Sequence, residues 1–408
     1  MTSEAQATSD SRILGRDPIY DPLAPDVIAD PFPFYRRLRD ADPVYWHAQL
    51  DSWVVTGYDP CRQVLSDTTA FASDFRRSGE DVPSARLSIQ SLDPPDHTAV
   101  RHLLVSVLRE RSPAGLDASI AALMADTLAA LPAGGATVDL VRDLARPVAF
   151  TTITAFLGVR LPAGPEFEEM SHAIVRSMDA GLDPGRATAG DQARSALSEI
   201  ITRWLSDRSG AGFLAAAARQ HEQGSGVPLP VLANSLRAVL HAGYESVSRL
   251  LGNVLGRLTA DAPPWARTAV DAARLTDELL RLDGPVQADA RVCVQDTLLG
   301  EHLVRRGDVL VLMLAAADRD PAVFPAPDAV DLTRGRGRHL AFGRGAHACL
   351  GAALGTQQLS ALLTAVGETG TRFVPAGAPR HDDTATLRGL ASLPVRLDRP
   401  AYPGGTGS

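Results

Sequence analysis

Residues 339–351, His-Leu-Ala-Phe-Gly-Arg-Gly-Ala-His-Ala-Cys-Leu-Gly, constrain this chain more than any other stretch. One cysteine, Cys349, lies in a loop punctuated by Gly343, Gly345 and Gly351. The basic His347 stands two residues before it, and an apolar run at helical spacing follows. The glycines let the backbone turn tightly and approach a flat ring closely, and Phe342 can pack near the sulfur. The N–H groups that open the following helix, around Leu350 and Gly351, can point at a negative sulfur and stabilise it. The pattern suits a thiolate ligand held against a large apolar cofactor. A lone free cysteine is by default a small buried hydrophobe, so the argument rests on its neighbours and on three further motifs in chain order.

At 408 residues, 45% hydrophobic and 22% charged, the chain is ample for a large core. Its cysteines, Cys61, Cys293 and Cys349, are odd in number, far apart and without a C-x-x-C spacing, which argues against a zinc site or a disulfide framework. Met1–Arg16 is polar and unlike a signal peptide, and no apolar run is long enough to span a membrane, so a cytoplasmic protein is expected. There is no lysine, and all 40 basic residues are arginines, as in a GC-rich bacterial genome. The net charge of −8 argues against bulk nucleic-acid binding. Arg334-Gly335-Arg336-Gly337-Arg338 looks like a short RNA-binding tract but runs directly into the cysteine loop and reads better as a loop flanking the cofactor.

Residues 1–18 are expected to be loosely ordered. Asp30–Arg39 and Pro60–Ser66 read as short helices, Val44–Thr56 as a hairpin, and residues 71–90 as a loop or mobile lid. Amphipathic periodicity predicts helices at 95–110, 114–131, 138–158, 164–180, 190–208 and 210–222. A longer helix follows Pro228-Leu229-Pro230 to about Leu258, and another covers Pro264–Leu282. Val286–Val294 and Val304–Leu314 read as strands, 320–340 as an irregular meander, the segment from Cys349 to about Glu368 as a helix, and Leu387–Leu397 as strand and turn.

Asp93-Pro94-Pro95-Asp96-His97-Thr98-Ala99-Val100-Arg101 starts a helix with proline in its first turn, and His97 and Arg101 share one face. Such a basic pair can hold an anion. Glu278 and Arg281 are spaced to pair on a helix. In the middle of the longest helix stands Ala242-Gly243-Tyr244-Glu245-Ser246, where Gly243 leaves room for a ligand and an alcohol adjoins an acid. Positioned groups of this kind serve general acid–base work, and a serine hydroxyl can also bond back to the preceding turn. Helical spacing puts 238, 241, 242, 245 and 246 on one face, so His241 is expected at the substrate cavity, hydrogen-bonded to a polar substrate group, or else packed on a neighbouring helix.

Phe342-Gly343-Arg344-Gly345-Ala346-His347-Ala348-Cys349-Leu350-Gly351 resembles the haem-binding signature of the cytochrome P450 family in its soluble bacterial form. The resemblance extends from about residue 20 to 398. It implies a mainly α fold with a smaller β part (α+β), one catalytic domain over 19–408 and a long central helix crossing the haem. It implies a haem b cofactor with Cys349 as the metal ligand, and a cofactor shell of His97, Arg101, Arg291, His339, Phe342, Gly343, His347, Cys349 and Gly351. Glu278, Arg281 and Arg334 match the family's buried structural triad. Glu245, Ser246 and Gly243 match its oxygen-activating segment, with Ser246 where threonine is usual. Ser88, Ile89, Val239, His241, Ala242, Val286, Gln287 and Ala391 fall at substrate-pocket positions. Asp318 stands where asparagine is more usual, in a run read as structural.

The implied activity is that of a haem-thiolate monooxygenase using O2 on a small organic molecule, as in bacterial secondary metabolism. The implied electron donors are a ferredoxin and its reductase, with Arg109, Arg111 and Arg344 as a docking patch. Oxidative coupling or ring formation, a peroxide-driven peroxygenase and a non-catalytic haem-binding module are the alternatives.

Overall fold

The computed structural model describes residues 20–399 except 49, 111–114, 133, 162–164, 208–211 and 261–271. The tail at 1–18, Arg111 and the first half of the helix expected over 264–282 lie outside the described residues.

The chain opens with α1 (Pro25–Ala29), α2 (Phe32–Ala41), the hairpin β1 (Val44–His47) and β2 (Ser52–Val55), α3 (Tyr58–Ser66) and the short β3 (Phe71–Ala72). A helical block follows: α4 (Asp96–Glu110), α5 (Leu116–Ala130), a brief strand β4 (Thr137–Asp139), α6 (Arg146–Leu157), α7 (Pro165–Met178), α8 (Ala187–Ser206), α9 (Gly212–Glu222) and α10 (Leu229–Ala260). Next come α11 (Ala272–Asp283), β5 (Asp289–Cys293), β6 (Thr297–Leu299), β7 (His302–Val304), β8 (Val309–Leu312) and α12 (Leu314–Ala317). Beyond the meander and cysteine loop lie α13 (Ala352–Thr369), β9 (Arg372–Pro375), β10 (Arg380–His381), β11 (Leu390–Ser392) and β12 (Pro394–Asp398).

The helices therefore fall close to where the apolar period puts them. The stretch 138–158 differs. It begins as β4, passes through a π-helical turn at Val141–Ala145 and only then becomes α6. β4 pairs antiparallel with β12, which also pairs with β9. Such a three-residue strand is defined by its distant partner and carries too short a pattern to be read locally. The larger sheet has the order β1-β2-β8-β5-β3, with β2 and β8 parallel and the other pairs antiparallel.

Two cores result. Helices α4, α5, α6, α8, α10 and α13 bury Leu104, Met124, Ile153, Leu197, Leu232 and Leu362 together. The five-stranded sheet and α3 enclose Trp53, Cys61, Phe71, Leu310, Phe324 and Leu340. Central to the first is α10, 32 residues long and so about 48 Å in length. The cysteine loop is strung between the cores. Leu340, fully buried, belongs to the second, whereas Phe342, Leu350 and Leu354 pack against the first.

A buried ion network fixes the approach to that loop. Glu278 accepts from Arg281 Nε at 2.9 Å and Nη2 at 2.7 Å, and its Oε1 accepts from Arg334 Nε at 2.9 Å and the Asp331 N–H at 3.0 Å. Arg281 Nη1 donates to the carbonyls of Asp318 (2.8 Å) and Pro327 (2.7 Å), and Arg334 Nη2 to those of Pro325 (2.5 Å) and Ala326 (3.0 Å). Burial pushes the Asp318 carboxyl up to about 6, and Asp318 Oδ1 accepts the Leu340 N–H at 2.6 Å. The meander is thus wound around two guanidinium groups and delivers Leu340 to its place.

Glu278→Gln removes the carboxylate charge that is hydrogen-bonded to both arginines. Breaking a buried pair costs about 3–5 kcal/mol. Urea unfolding should register that loss, and cofactor incorporation should fail with it rather than turnover slowing selectively. A variant that keeps full cofactor content contradicts the structural assignment.

Candidate active site

The loop closes on itself before α13 begins. Gly343 N–H donates to Leu340 O at 2.7 Å, and Cys349 N–H donates to Phe342 O at 2.8 Å. Two glycines permit this path. Gly343 has φ +61°, and Gly345 has φ +74° with space for no side chain, since a Cβ there would sit 2.4 Å from Leu65 O. Cys349 keeps an exposed side chain. Packing around it pushes the thiol up, while the Gly351 N–H and the Arg101 charge act in the opposite direction.

The start of α4 comes up beside this loop. The His97 and His347 rings lie 4.2 Å apart, and His347 Nε2 is 3.3 Å from Asp93 Oδ1. Asp93 also accepts the Ser73 and Asp74 N–H groups, both at 3.2 Å, and Arg77 Nη1 at 3.1 Å. These bonds outweigh its burial and hold the carboxyl well below the usual range. Burial, then the His347 and Arg101 charges, push His97 down to about 4. His97 Nε2 and His339 Nδ1 are buried without a hydrogen-bond partner among the described residues. His339 Nε2 faces Asp277 at 3.5 Å. Arg291 is buried on β5, with Nη1 bonded to Asp289 (2.8 Å) and the Ala290 carbonyl (2.6 Å).

On α10, Val239, Ala242, Gly243 and Ser246 are partly open within an otherwise buried stretch. Their spacing makes one stripe along the helix. Ser246 Oγ donates to the Ala242 carbonyl at 2.6 Å, and the helix continues unbroken past it. Glu245, one residue earlier, is buried and accepts from Arg249 Nε at 3.1 Å. Despite desolvation, the Arg249 and His241 charges hold the Glu245 carboxyl below its ordinary value.

Several expectations need correction. Gly243 leaves no ligand space on its Cβ side: a Cβ there would stand 2.5 Å from Ile153 Cδ1, so the glycine admits α6 against α10. His241 is buried and its Nε2 lies 3.1 Å from the Ser171 carbonyl of α7, which makes it a helix–helix contact rather than a group facing substrate. Gln287 is also buried, its amide bonded to the Gly284 carbonyl and to the Tyr35 hydroxyl. Ser88 is buried in its own turn, where its Oγ accepts the Gln90 N–H at 3.3 Å. Ile89 belongs to the main core, with its N–H on Ser235 Oγ. Val286 and Ala391 stay partly open alongside Val239 and Ala242. The sequence reading missed Asp93 and Arg249. The i,i+4 spacing of Glu245 and Arg249 was the available signal for the second.

The residues fit a flat anionic cofactor that Cys349 would hold through its sulfur. An exposed cysteine stands in a glycine-cut loop, and partnerless nitrogens of His97 and His339 and the nearby Arg101 are suited to its carboxylates. Comparison with known proteins agrees. Residues 274–367 match the family model "Cytochrome P450". The chain is 30% identical to the cytochrome P450 monooxygenase PikC of Streptomyces venezuelae, with 92% of this chain and 93% of that protein covered. It is 31% identical to the 20-oxo-5-O-mycaminosyltylactone 23-monooxygenase of Streptomyces fradiae, over 96% and 95% of the two chains. The structure of a mutant of P450 EryK in complex with erythromycin B superposes with a TM-score of 0.82 at 26% identity, covering 93% of this chain and 98% of that one. The chain belongs to the cytochrome P450 family and is a monooxygenase of the haem-thiolate type. Among the described residues no helix is long and apolar enough to cross a membrane.

If Gly243 serves α6 packing, Gly243→Ala should destabilise the protein by about 1–3 kcal/mol, the usual cost of overpacking. Trimming the obstacle with Ile153→Val should recover part of that in a thermal melt. No recovery in the double variant contradicts the packing role.

Proposed function

We propose that this protein is a cytoplasmic monooxygenase that binds haem b through Cys349, takes electrons from a ferredoxin and its reductase, and oxidises a polyketide-type secondary metabolite. One observation carries the site assignment: the exposed Cys349 is presented by a loop held by its own backbone hydrogen bonds, near buried His97 and His339 nitrogens that lack partners among the described residues. When bound, the haem supplies the oxygen chemistry, and a thiolate ligand favours O–O cleavage over reversible oxygen binding.

The chain's own residues then do the rest. His97, Arg101, Arg291, His339 and His347 would hold the propionates, and Phe342, Gly343 and Gly351 would shape the face against the sulfur. Ser246 presents its hydroxyl on the open stripe and passes protons inward. Glu245 supplies them from the buried edge of the same helix. Val239, Ala242, Val286 and Ala391 give the pocket small apolar walls, as ligand cavities generally have. Arg109 and Arg344, with Arg111 beyond the described residues, form the cationic docking patch for an acidic ferredoxin. The substrate class is taken from relatives, one a 20-oxo-5-O-mycaminosyltylactone 23-monooxygenase and another bound to erythromycin B.

The test supplies the haem-loaded protein with a plant-type ferredoxin, its reductase, NADPH and isotopically labelled O2, against a panel of polyketides. A product with a single labelled oxygen supports the reading, and Ser246→Ala should lower product formed per NADPH by roughly tenfold. Turnover with hydrogen peroxide alone points to the peroxygenase alternative. A product without new oxygen points to coupling or ring formation.

A further inference from the structure

One buried arginine serves two buried carboxylates on the closed edge of α10. Arg249 Nε donates to Glu245 at 3.1 Å, and its Nη1 donates to Asp382 Oδ2 at 2.6 Å and to the Leu387 carbonyl at 3.2 Å. Its path to Asp382 is built. A Cβ on Gly389 would lie 2.5 Å from Arg249 Cγ, so the arginine passes over a glycine. Asp382 occupies the connection between β10 and β11, its N–H bonded to the Gly389 carbonyl. A cavity of about 340 Å³ reaches Glu245, Arg249 and Asp382, with Arg146, Glu168 and His172 on its wall.

The same connection is gripped from outside by the α7–α8 region. Asp383 pairs with Arg176 at 3.1 Å and Arg186 at 3.5 Å, and Arg186 Nη1 also donates to the Asp383 carbonyl at 2.7 Å. Asp179, past the end of α7, is buried and accepts the Ala385 N–H (2.9 Å), the Thr386 N–H (2.9 Å) and the Thr386 hydroxyl (2.7 Å). Neighbouring residues of one loop thus hold the covering helices and the partner of the central acid.

We propose that Asp382 is a positioning residue that competes with Glu245 for Arg249, so that the seating of α7–α8 on the 382–387 loop sets how freely Glu245 passes protons toward the oxygen site. The inference rests on the reading of Glu245 as proton source. With Asp382 in place, Arg249 gives Glu245 a single bond, and Glu245 lines the cavity. Without that competitor the guanidinium is free to take Glu245 with both nitrogens, and a bidentate carboxylate is a poor proton carrier. Displacement of the loop has the same effect as loss of the Asp382 charge.

Three variants test this in haem-loaded protein supplied with NADPH, a plant-type ferredoxin and its reductase, without substrate. The ratio of hydrogen peroxide to water formed from O2, and the solvent deuterium isotope effect on it, are the readouts. Asp382→Asn is expected to raise the peroxide share severalfold and to enlarge the isotope effect, with haem content close to the parent and a lower melting temperature, because a buried pair is broken. Asp383→Asn, on the exposed side, should move both readouts the same way by less. In the haem-free protein it should also speed hydrogen exchange at Ala385 and Thr386. Unchanged partition and isotope effect in Asp382→Asn overturn the proposal. If that variant does not fold, Asp383→Asn decides: faster exchange with a larger peroxide share supports the coupling, and parent-like values on either readout overturn it. Glu245→Gln separates the two claims, because a parent-like partition there refutes the proton-source reading itself.

Discussion

The Glu278 carboxylate is the fixed point of the proximal half of this molecule. It pairs with both Arg281 and Arg334, and those two guanidinium groups satisfy the carbonyls of Asp318 and of the meander residues Pro325, Ala326, Pro327 and Ala329. A stretch with almost no regular structure is thereby given a unique path. Buried charges of this kind are favourable only when every donor and acceptor is answered, and here the unanswered backbone of an irregular segment supplies the answers. The result is positional. Leu340 is set into the sheet-side core, the next residues cross the gap, and Leu350 and Leu354 enter the helical core. A sulfur held between two rigid bodies can be aimed without being buried.

Around that sulfur the chain separates two tasks along a single helix. One stripe of α10, through Val239, Ala242, Gly243 and Ser246, stays partly open. Its other edge carries Arg237, His241, Glu245 and Arg249, buried polar groups whose partners include the Ala85 carbonyl, the Ser171 carbonyl of α7 and the Leu387 carbonyl. The open stripe leaves one side of the helix partly uncovered, and the polar edge fastens α7 and the Ala85 turn to the same backbone. Glu245 and Ser246, adjacent in sequence, fall on the two different edges. Adjacent residues in a helix are about 100° apart, and this turn carries the acid from the polar edge to the side of the alcohol.

The helices, the hairpin β1–β2, the cysteine loop and the Glu278 triad were legible because each depends on short-range pattern or on one strongly typed motif. The inward face of α10 was not. Spacing alone grouped 238, 241, 242, 245 and 246, whereas the open stripe is 239, 242, 243 and 246. A helical wheel counts polar residues as candidates for a cavity or solvent. Here His241 and Glu245 are buried because their partners, the Ser171 carbonyl and the Arg249–Asp382 pair, arrive from α7 and from a loop far along the chain. Gly243 misled for a related reason: a missing side chain marks a close approach, and only the structure tells whether Ile153 or a ligand makes it. Gln287 is drawn inward by the distant Tyr35 hydroxyl as well as by the Gly284 carbonyl, and Ser88 bonds within its own turn.

The account stands on Cys349 as a thiolate to iron. The most direct measurement is the absorption spectrum of the purified protein, reduced and saturated with carbon monoxide, beside Cys349→Ser. A red-shifted Soret band in the parent that is lost in the variant is the predicted result. A parent that takes up haem but gives the blue-shifted band of a neutral or nitrogen ligand, unchanged by Cys349→Ser, would contradict it.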